Sequence, residues 1–327
     1  MLINDPAIFT LLIPTFNGTP FLIRTLDYLS EIDFKGQVVV ADSSAPEHRS
    51  FSETCDQKYP NLAIAVRIYP ESIPFLTKMA QTLESLPARY VLPHANDDFL
   101  VPEAVEQCVQ FLETSADYSA ARGRTLSFHL THQEDKGAKG GLGYHAMHGY
   151  EQADAAERVI AHVENYSSVF YSVHRREYLI ESCNFTELRT KSLMFFQYLS
   201  SSVTAFLGKV HCSNELFYIR QQHYKSASWN VEYEGWPLLI TSPQFSNYYA
   251  EFRNALCTLV TQGHEMKDFG RRLDKAAVNM FRRSFCGIEP KDPDEELFRK
   301  RLSNPKAPEL ARMKWILEFC MKYPETY

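Results

Sequence analysis

The chain has no CxxC pair, no basic surplus, no GK[ST] phosphate loop and no dinucleotide-type GxGxxG after any strand-like segment. Seven cysteines, odd in number and scattered through 327 residues, exclude a disulfide framework and a structural zinc site. They fit reduced thiols in a cytosolic protein. A formal net charge of -6 leaves no surplus cations to neutralise a phosphate backbone, so no nucleic-acid partner is expected. Without a Walker loop or a Rossmann fingerprint, any nucleotide must be held in another way. Met1 to Pro6 lacks the basic and apolar regions of a signal peptide. The longest uncharged stretch, Ser192 to Gly208, contains Gln197, four serines and Thr204. It reads as a buried helix, so no transmembrane segment is expected and any membrane contact is peripheral.

What is present is ordinary globular composition, 45% hydrophobic and 23% charged, in a length that suits one large α/β domain with additions or two domains. Apolar runs at 9–14, 37–41, 63–69 and 89–95 read as buried strands. Periodic segments at 21–32 and 74–86 read as helices between them. Strands alternating with helices at short spacing predict βαβ units and a mostly parallel sheet. A helix is expected over 102–113, with Pro102 in its first turn, and a strand over 120–128. The segment 134–143, with four glycines and no apolar period, is expected as a loop, either a surface hairpin or a lid. Helices are expected over 151–166 and 195–206. From about residue 230 aromatic and helical segments dominate, at 245–260, 268–285 and 308–323. The expected division is therefore residues 1–228 as the nucleotide-binding and catalytic domain and 229–327 as an α-helical C-terminal subdomain.

The strand ends carry the chemistry. Pro14-Thr15-Phe16-Asn17-Gly18 follows the first, Asp42-Ser43-Ser44 the second and Asn96-Asp97-Asp98 the fourth. The ends of parallel strands lie on one edge of a sheet, so these loops meet in one crevice. Hydroxyls, amides and carboxylates there suit a nucleoside. Two adjacent carboxylates suit a hard divalent cation, which takes oxygen ligands and bridges phosphates.

Leu11-Leu12-Ile13-Pro14-Thr15-Phe16-Asn17 resembles the "IPTYN" opening of GT-A-fold glycosyltransferases of the family 2 type. Val38 to Ser44 resembles their second strand, usually "IIVVDDGS", and Asn96-Asp97-Asp98-Phe99 resembles their "DDD" or DxD element. The ordered set spans about the first 130 residues. The "ADSS" and "DDF" forms, with Gly123-Arg124-x-x-Ser127-Phe128, look like a bacterial subgroup associated with surface polysaccharides. The resemblance implies a GT-A-like, Rossmann-like mixed sheet flanked by helices. It implies a nucleotide-sugar donor, Mn²⁺ or Mg²⁺, a saccharide or lipid-linked saccharide acceptor, and inversion at the transferred carbon. It places the protein in capsule or lipopolysaccharide synthesis, in the cytoplasm or at the inner face of the cytoplasmic membrane. By position, Pro14, Thr15, Asn17, Asp42, Ser43, Lys78, Asn96, Asp97 and Arg220 would bind the nucleotide, with Asp42 accepting from a base N–H. Asp98 and Asp97, joined by His223, would hold the metal, and Asp98 would act catalytically through it. Gly18 stands where the family has Arg, and Asn96 where it has the first Asp.

An inverting enzyme also needs a general base. Glu187 is the carboxylate nearest the place where the family carries one, with Asp154 and Glu157 as further candidates, while Gln197 cannot serve. Leu216 to His223 reads as a strand delivering Arg220 and His223 to a loop. His145 and His148 flank the glycine-rich segment. Two other readings stay open: a non-catalytic nucleotide-sugar-binding or scaffold protein with a degenerate site, motivated by Asn96 and Gln197, and a sugar nucleotidylyltransferase, for which the loop after the first strand lacks the Gly-rich basic sequence.

Overall fold

The computed structural model describes residues 1–133, 137–190, 192–223, 242–261, 268–286 and 293–326. Its first half alternates as the apolar pattern dictates: β1 (Phe9–Thr15), α1 (Thr19–Glu31), β2 (Gln37–Asp42), α2 (Cys55–Lys58), β3 (Ala63–Ile68), α3 (Phe75–Glu84), β4 (Tyr90–Pro93), β5 (Phe99–Leu100) and α4 (Pro102–Thr114). Then follow β6 (Tyr118–Gln133), β7 (Gly137–His145), α5 (Ala155–Glu164), β8 (Val173–Arg175), α6 (Arg176–Glu187), α7 (Leu193–Leu207) and β9 (Lys209–Gln221). The last third contributes α8 (Phe245–Thr261), α9 (Phe269–Cys286), α10 (Pro293–Leu302) and α11 (Pro308–Cys320).

The strands form one mixed sheet in the order β3-β2-β1-β4-β8-β6-β9-β5, with β7 paired to β6. β3, β2, β1 and β4 are mutually parallel, as are β6 and β9; β8, β5 and β7 run against their neighbours. Successive strand residues point to opposite faces, so each continuous apolar run supplies two layers. Leu11, Ile13, Val38, Val40 and Leu92 pack with Leu22, Leu26 and Leu29 of α1 and Val105, Val109 and Leu112 of α4. Leu12, Val39, Ala41 and Val91 pack on the other face with Leu76, Met79 and Leu83 of α3 and Leu179 and Cys183 of α6.

The helices of the last third divide between two cores. Phe252 and Leu256 of α8 and Leu273 and Ala277 of α9 pack with Val159 of α5 and Leu199 and Val203 of α7. Met313, Ile316 and Phe319 of α11 join the sheet core beside α1 and α4. The expected boundary at 228/229 falls outside the described residues.

Two sequence expectations change and one pair of elements was missed. The run at 63–69 is an edge strand with a half-exposed pattern rather than a buried one, as Arg67 within it requires. Of the two readings of 134–143, the hairpin fits and the loop does not extend over 137–143: β6 reaches Gln133, and β7 pairs antiparallel with it in register Ser127↔Gly143 and His129↔Gly141. Those glycines gave no alternation to read. They are there because a Cβ on Gly143 would lie 2.5 Å from Ser127 Oγ, and one on Gly141 2.4 Å from the His129 ring. β8 and α6 had no sequence signal strong enough to register, since α6 is only weakly amphipathic.

The Gly123-Arg124 pair has a packing role. β6 and β9 slip register around Arg122 and Arg124, and β9 comes close enough that a Cβ on Gly123 would lie 2.3 Å from the Glu215 carbonyl oxygen. Arg124, 1% exposed, donates to Asn214 Oδ1 at 2.9 Å and to the Met147 carbonyl at 2.8 Å. Gly123→Ala is therefore expected to destabilise the fold by about 1–3 kcal/mol through overpacking. Urea denaturation would read this as a lower midpoint at unchanged slope.

Candidate functional site

Three strand-end loops meet at one edge of the sheet and are tied together by polar side chains. Asn17 takes the left-handed backbone conformation, φ 50°, which turns the chain sharply out of β1. Its N–H donates to Ser44 Oγ at 2.7 Å, and its side-chain oxygen accepts from Ala45 N at 3.0 Å. Asp42 is 1% exposed; it accepts from Ser44 N at 2.7 Å and from the hydroxyls of Ser44 and Ser52. Lys78, from the middle of α3, donates to the Thr15 carbonyl at 2.9 Å and to Ser43 Oγ at 2.8 Å. It thus spans the ends of β1 and β2 from below. Burial pulls its pKa down to about 8, against a partial pull upward from Asp42. Pro14, near the end of β1, is in register with Ala41 of β2.

The carboxylate turn after β4 is fastened to the same loops. Asn96 Nδ2 donates to Thr15 Oγ1 at 3.0 Å, and the Asn96 carbonyl accepts from Thr25 Oγ1 at 2.6 Å. The two departures from the resembled pattern touch: a Cβ on Gly18 would stand 2.6 Å from Asn96 Nδ2. Asp97 Oδ2 lies 2.9 Å from His223 Nε2, and the His223 ring stacks on Phe21 at 4.5 Å. Asp98 Oδ1 accepts from the Gln221 backbone N–H at 3.0 Å, while its Oδ2 lies 3.8 Å from Arg220 Nε. β9 therefore brings Arg220, Gln221 and His223 to the turn, pairing with β5 immediately beyond it.

The two carboxylates are in different electrostatic states. Burial, followed by the adjacent Asp97 charge, pushes the Asp98 carboxyl well above the usual range. Burial works in the same sense on Asp97, but the His223 hydrogen bond, Arg220 and Arg24 hold its carboxyl below the usual range. Close carboxylates separate their proton affinities in this way when no cation lies between them.

The fit of a divalent cation rests on the donor set. Adjacent ligands on an octahedral ion with bonds of about 2.0–2.1 Å lie about 2.9 Å apart. Asp97 Oδ2 and His223 Nε2, hydrogen-bonded at 2.9 Å, are compatible with that spacing and supply a carboxylate oxygen and an imidazole nitrogen. Among the described residues, no group of three or more His, Cys, Asp or Glu is arranged around one point. Among the described residues, Asp97 and His223 are the two groups so placed.

Other expected residues sit elsewhere. Glu187 is the last residue of α6, the helix that packs Leu179 and Cys183 under the sheet. Asp154 caps α5, accepting from Glu157 N at 2.9 Å, and Glu157 pairs with both terminal nitrogens of Arg272. His145, half-buried on β7, has its pKa lowered to about 4 by burial and by Arg220. Sequence reasoning missed Arg24, whose guanidinium lies under the carboxylate turn, and Phe16, a 56% exposed aromatic between Thr15 and Asn17. The Leu22, Leu26 and Leu29 stripe gave no signal for Arg24, which lies nearly opposite it on α1, on the side of buried Phe21 and Tyr28.

Lys78 makes a pH prediction. Its folded pKa, about 8, lies below the ordinary lysine value of 10.5, so between those values the unfolded chain binds more protons. Stability contributed by this group therefore rises with pH across about 8 to 10.5. Unfolding free energies measured over that window should rise less steeply in Lys78→Met than in the wild type.

No protein-family model and no curated protein matches the chain. Solved structures do. Residues 1–349 of TarS from S. aureus in complex with UDP-GlcNAc match at a TM-score of 0.55 and 14% identity, covering 85% of this chain and 73% of that one. A second structure of TarS 1–349 matches at a TM-score of 0.54 and 14% identity, covering 97% of this chain and 81% of that one. Longer TarS matches at 0.51 and 13% identity, and there the match covers only 43% of its length. At such identities the likeness speaks for the fold, and that fold, a mixed sheet with its strand-end loops gathered on one edge, is GT-A-like.

Proposed function

We propose that the chain is a metal-dependent glycosyltransferase that moves a sugar from a nucleotide-sugar donor to a saccharide or lipid-linked saccharide acceptor. The observation that carries this reading is the Asp97–His223 pair, set on a GT-A-like sheet where the β1, β2 and β4 ends are tied into one crevice. The TarS fragment of similar fold was solved with UDP-GlcNAc. That supports a nucleotide sugar as the donor class here.

Asp97 and His223 would hold Mn²⁺ or Mg²⁺, with Asp98 beside them. The cation would neutralise charge developing on the departing nucleotide diphosphate. The chain's own residues then have these roles. Thr15, Asn17 and Asp42 line the base and ribose side, with Asp42 sharing its serine-held carboxylate with a base N–H. Ser43 and Lys78 keep the β1 and β2 ends at a fixed spacing. Arg220, its side chain 40% exposed, is placed to pair with a phosphate oxygen in bidentate fashion. Exposed Phe16 offers a face for the base. Asn96 holds Thr15 in place and contributes no charge.

Inversion requires a base, and Glu187 remains the residue proposed for it. Asp154 and Glu157 are occupied by a helix cap and by Arg272. Exposed Arg271, Lys275 and Arg282 lie along one stripe of α9 and support peripheral contact with an anionic membrane surface, where a lipid-linked acceptor would be met. No helix among the described residues is long and apolar enough to cross a membrane. Synthesis of a bacterial surface polysaccharide is the pathway class that fits.

Calorimetry with UDP, GDP, CDP and CMP, each with and without Mn²⁺, tests the reading. One nucleotide diphosphate should bind, and Mn²⁺ should tighten it at least about tenfold through the two charged or imidazole ligands. Asp97→Asn should remove that tightening and leave metal-free binding within about twofold. Absence of binding by every nucleotide would sink the proposal, and metal-independent binding would remove the cation from it.

A further inference from the structure

Arg24 has no partner in the roles assigned so far, yet it is among the largest fully buried side chains. It projects from α1 beneath the carboxylate turn. Its Nη2 donates to the Asp97 carbonyl at 2.7 Å; its Nη1 donates to Gln221 Oε1 and, at 2.9 Å, to Thr326 Oγ1. Its guanidinium lies 5.3 Å from the Phe21 ring centroid and 5.0 Å from that of Phe99. A buried cation is tolerated only when its donors are met and compensating charge is near. Here the Asp97 carbonyl, the Gln221 amide oxygen and the Thr326 hydroxyl meet the two terminal nitrogens, Nε has no partner among the described residues, and Asp97 and Asp98 supply compensating charge.

Gln221 closes the circuit. Its side-chain Nε2 donates to the Thr326 carbonyl at 2.7 Å, and its backbone N–H holds Asp98 Oδ1 at 3.0 Å. Gln221 is 4% exposed and Thr326 is 0% exposed. Thr326 is itself fixed: its hydroxyl donates to the Tyr323 carbonyl at 2.8 Å, and Tyr323 OH donates to Asp27 Oδ2 of α1 at 2.8 Å. One ring of bonds therefore joins α1, the carboxylate turn, the end of β9 and the segment after α11.

We propose that Arg24 and Thr326 are positioning residues that set the carboxylate turn against the β9 end, so that residues about 300 apart in sequence complete the site together. Arg24 fixes the turn through the backbone of Asp97. Thr326 fixes Gln221 through its carbonyl and Arg24 through its hydroxyl, and Gln221 fixes Asp98. His223, two residues past Gln221, inherits its place from the same anchor. The segment following α11 is then part of the nucleotide site although it touches no ligand-facing side chain. The consequence for ligand binding rests on the glycosyltransferase reading; the mechanical consequence does not.

The test uses the full chain with Thr326→Val, which keeps the shape and the backbone carbonyl and loses the hydroxyl, and Arg24→Lys, which keeps the charge and loses the fork. Hydrogen exchange on the ligand-free protein reads the strut directly. Amides over 94–101 and 216–223 should exchange about tenfold faster in Thr326→Val, the loss of about one net hydrogen bond, while β1 and β2 stay within twofold of wild type. Arg24→Lys should show the same local pattern more strongly. Calorimetric affinity for UDP with Mn²⁺ should fall about fivefold or more in both. Unchanged exchange at the turn would overturn the proposal, and so would a uniform rise across every strand. Should Arg24→Lys fail to fold, Thr326→Val alone decides. A wild type that binds no nucleotide while Thr326→Val loosens the turn would remove the donor reading and leave the strut standing.

Discussion

Two neighbouring carboxylates withdrawn from water are the constraint around which this edge of the sheet is built. Asp98 is 2% exposed and the Asp97 side chain 18%. Leaving such groups unpaired is costly, several kcal/mol for each buried ion. The structure answers with two guanidinium cations, a buried one beneath the backbone and a half-exposed one beside Asp98, and with a hydrogen bond between His223 and Asp97. The compensation is incomplete, since Asp98 still has its proton affinity raised. A site that favours retaining a proton at one of two adjacent carboxylates has room for positive charge.

The rest of the fold supplies the fixed edge that this charge needs. Parallel β1, β2 and β4 end together, and the helices between them are held by apolar packing on both faces. On that rigid base, the loops are joined by bonds of long sequence separation: Lys78 to Thr15, Asn17 to Ala45, Asn96 to Thr15. Each such bond forms only when the whole sheet is assembled. Site geometry is thereby a property of the tertiary fold and not of any single loop.

Much of this was legible in the chain. Continuous apolar runs closed by Pro14, Asp42 and Pro93 mark strands buried on two faces, and the polar triplets after them mark the edge where the strand ends gather. His223 was placed beside the carboxylates through the resemblance; its hydrogen bond to Asp97 in particular comes from the structure. What was not legible depends on pairings remote in sequence. β7 hid because glycines needed beside Ser127 and His129 erased its alternation. Arg24 hid because a charged residue on an apolar helix face reads as a surface residue until its acceptors are known. Lys78 was placed near the nucleotide from its position, whereas burial turned it inward to the strand ends.

Gly18 and Asn96 show how two apparent defects can be one adjustment. Taken singly, the loss of an Arg after Asn17 and of the first acid of the triplet suggest a weakened site. In the structure they are neighbours, and the amide of Asn96 occupies the space that any side chain at Gly18 would enter. An Asp at 96 would place a third carboxylate beside two that already compete for compensation. An amide instead donates to Thr15 and locks the carboxylate turn to the β1 end without adding charge. The glycine makes room for that lock. Charge is thus concentrated on Asp97 and Asp98, and the first position of the triplet is converted from a carrier of charge into a fastener between the two loops.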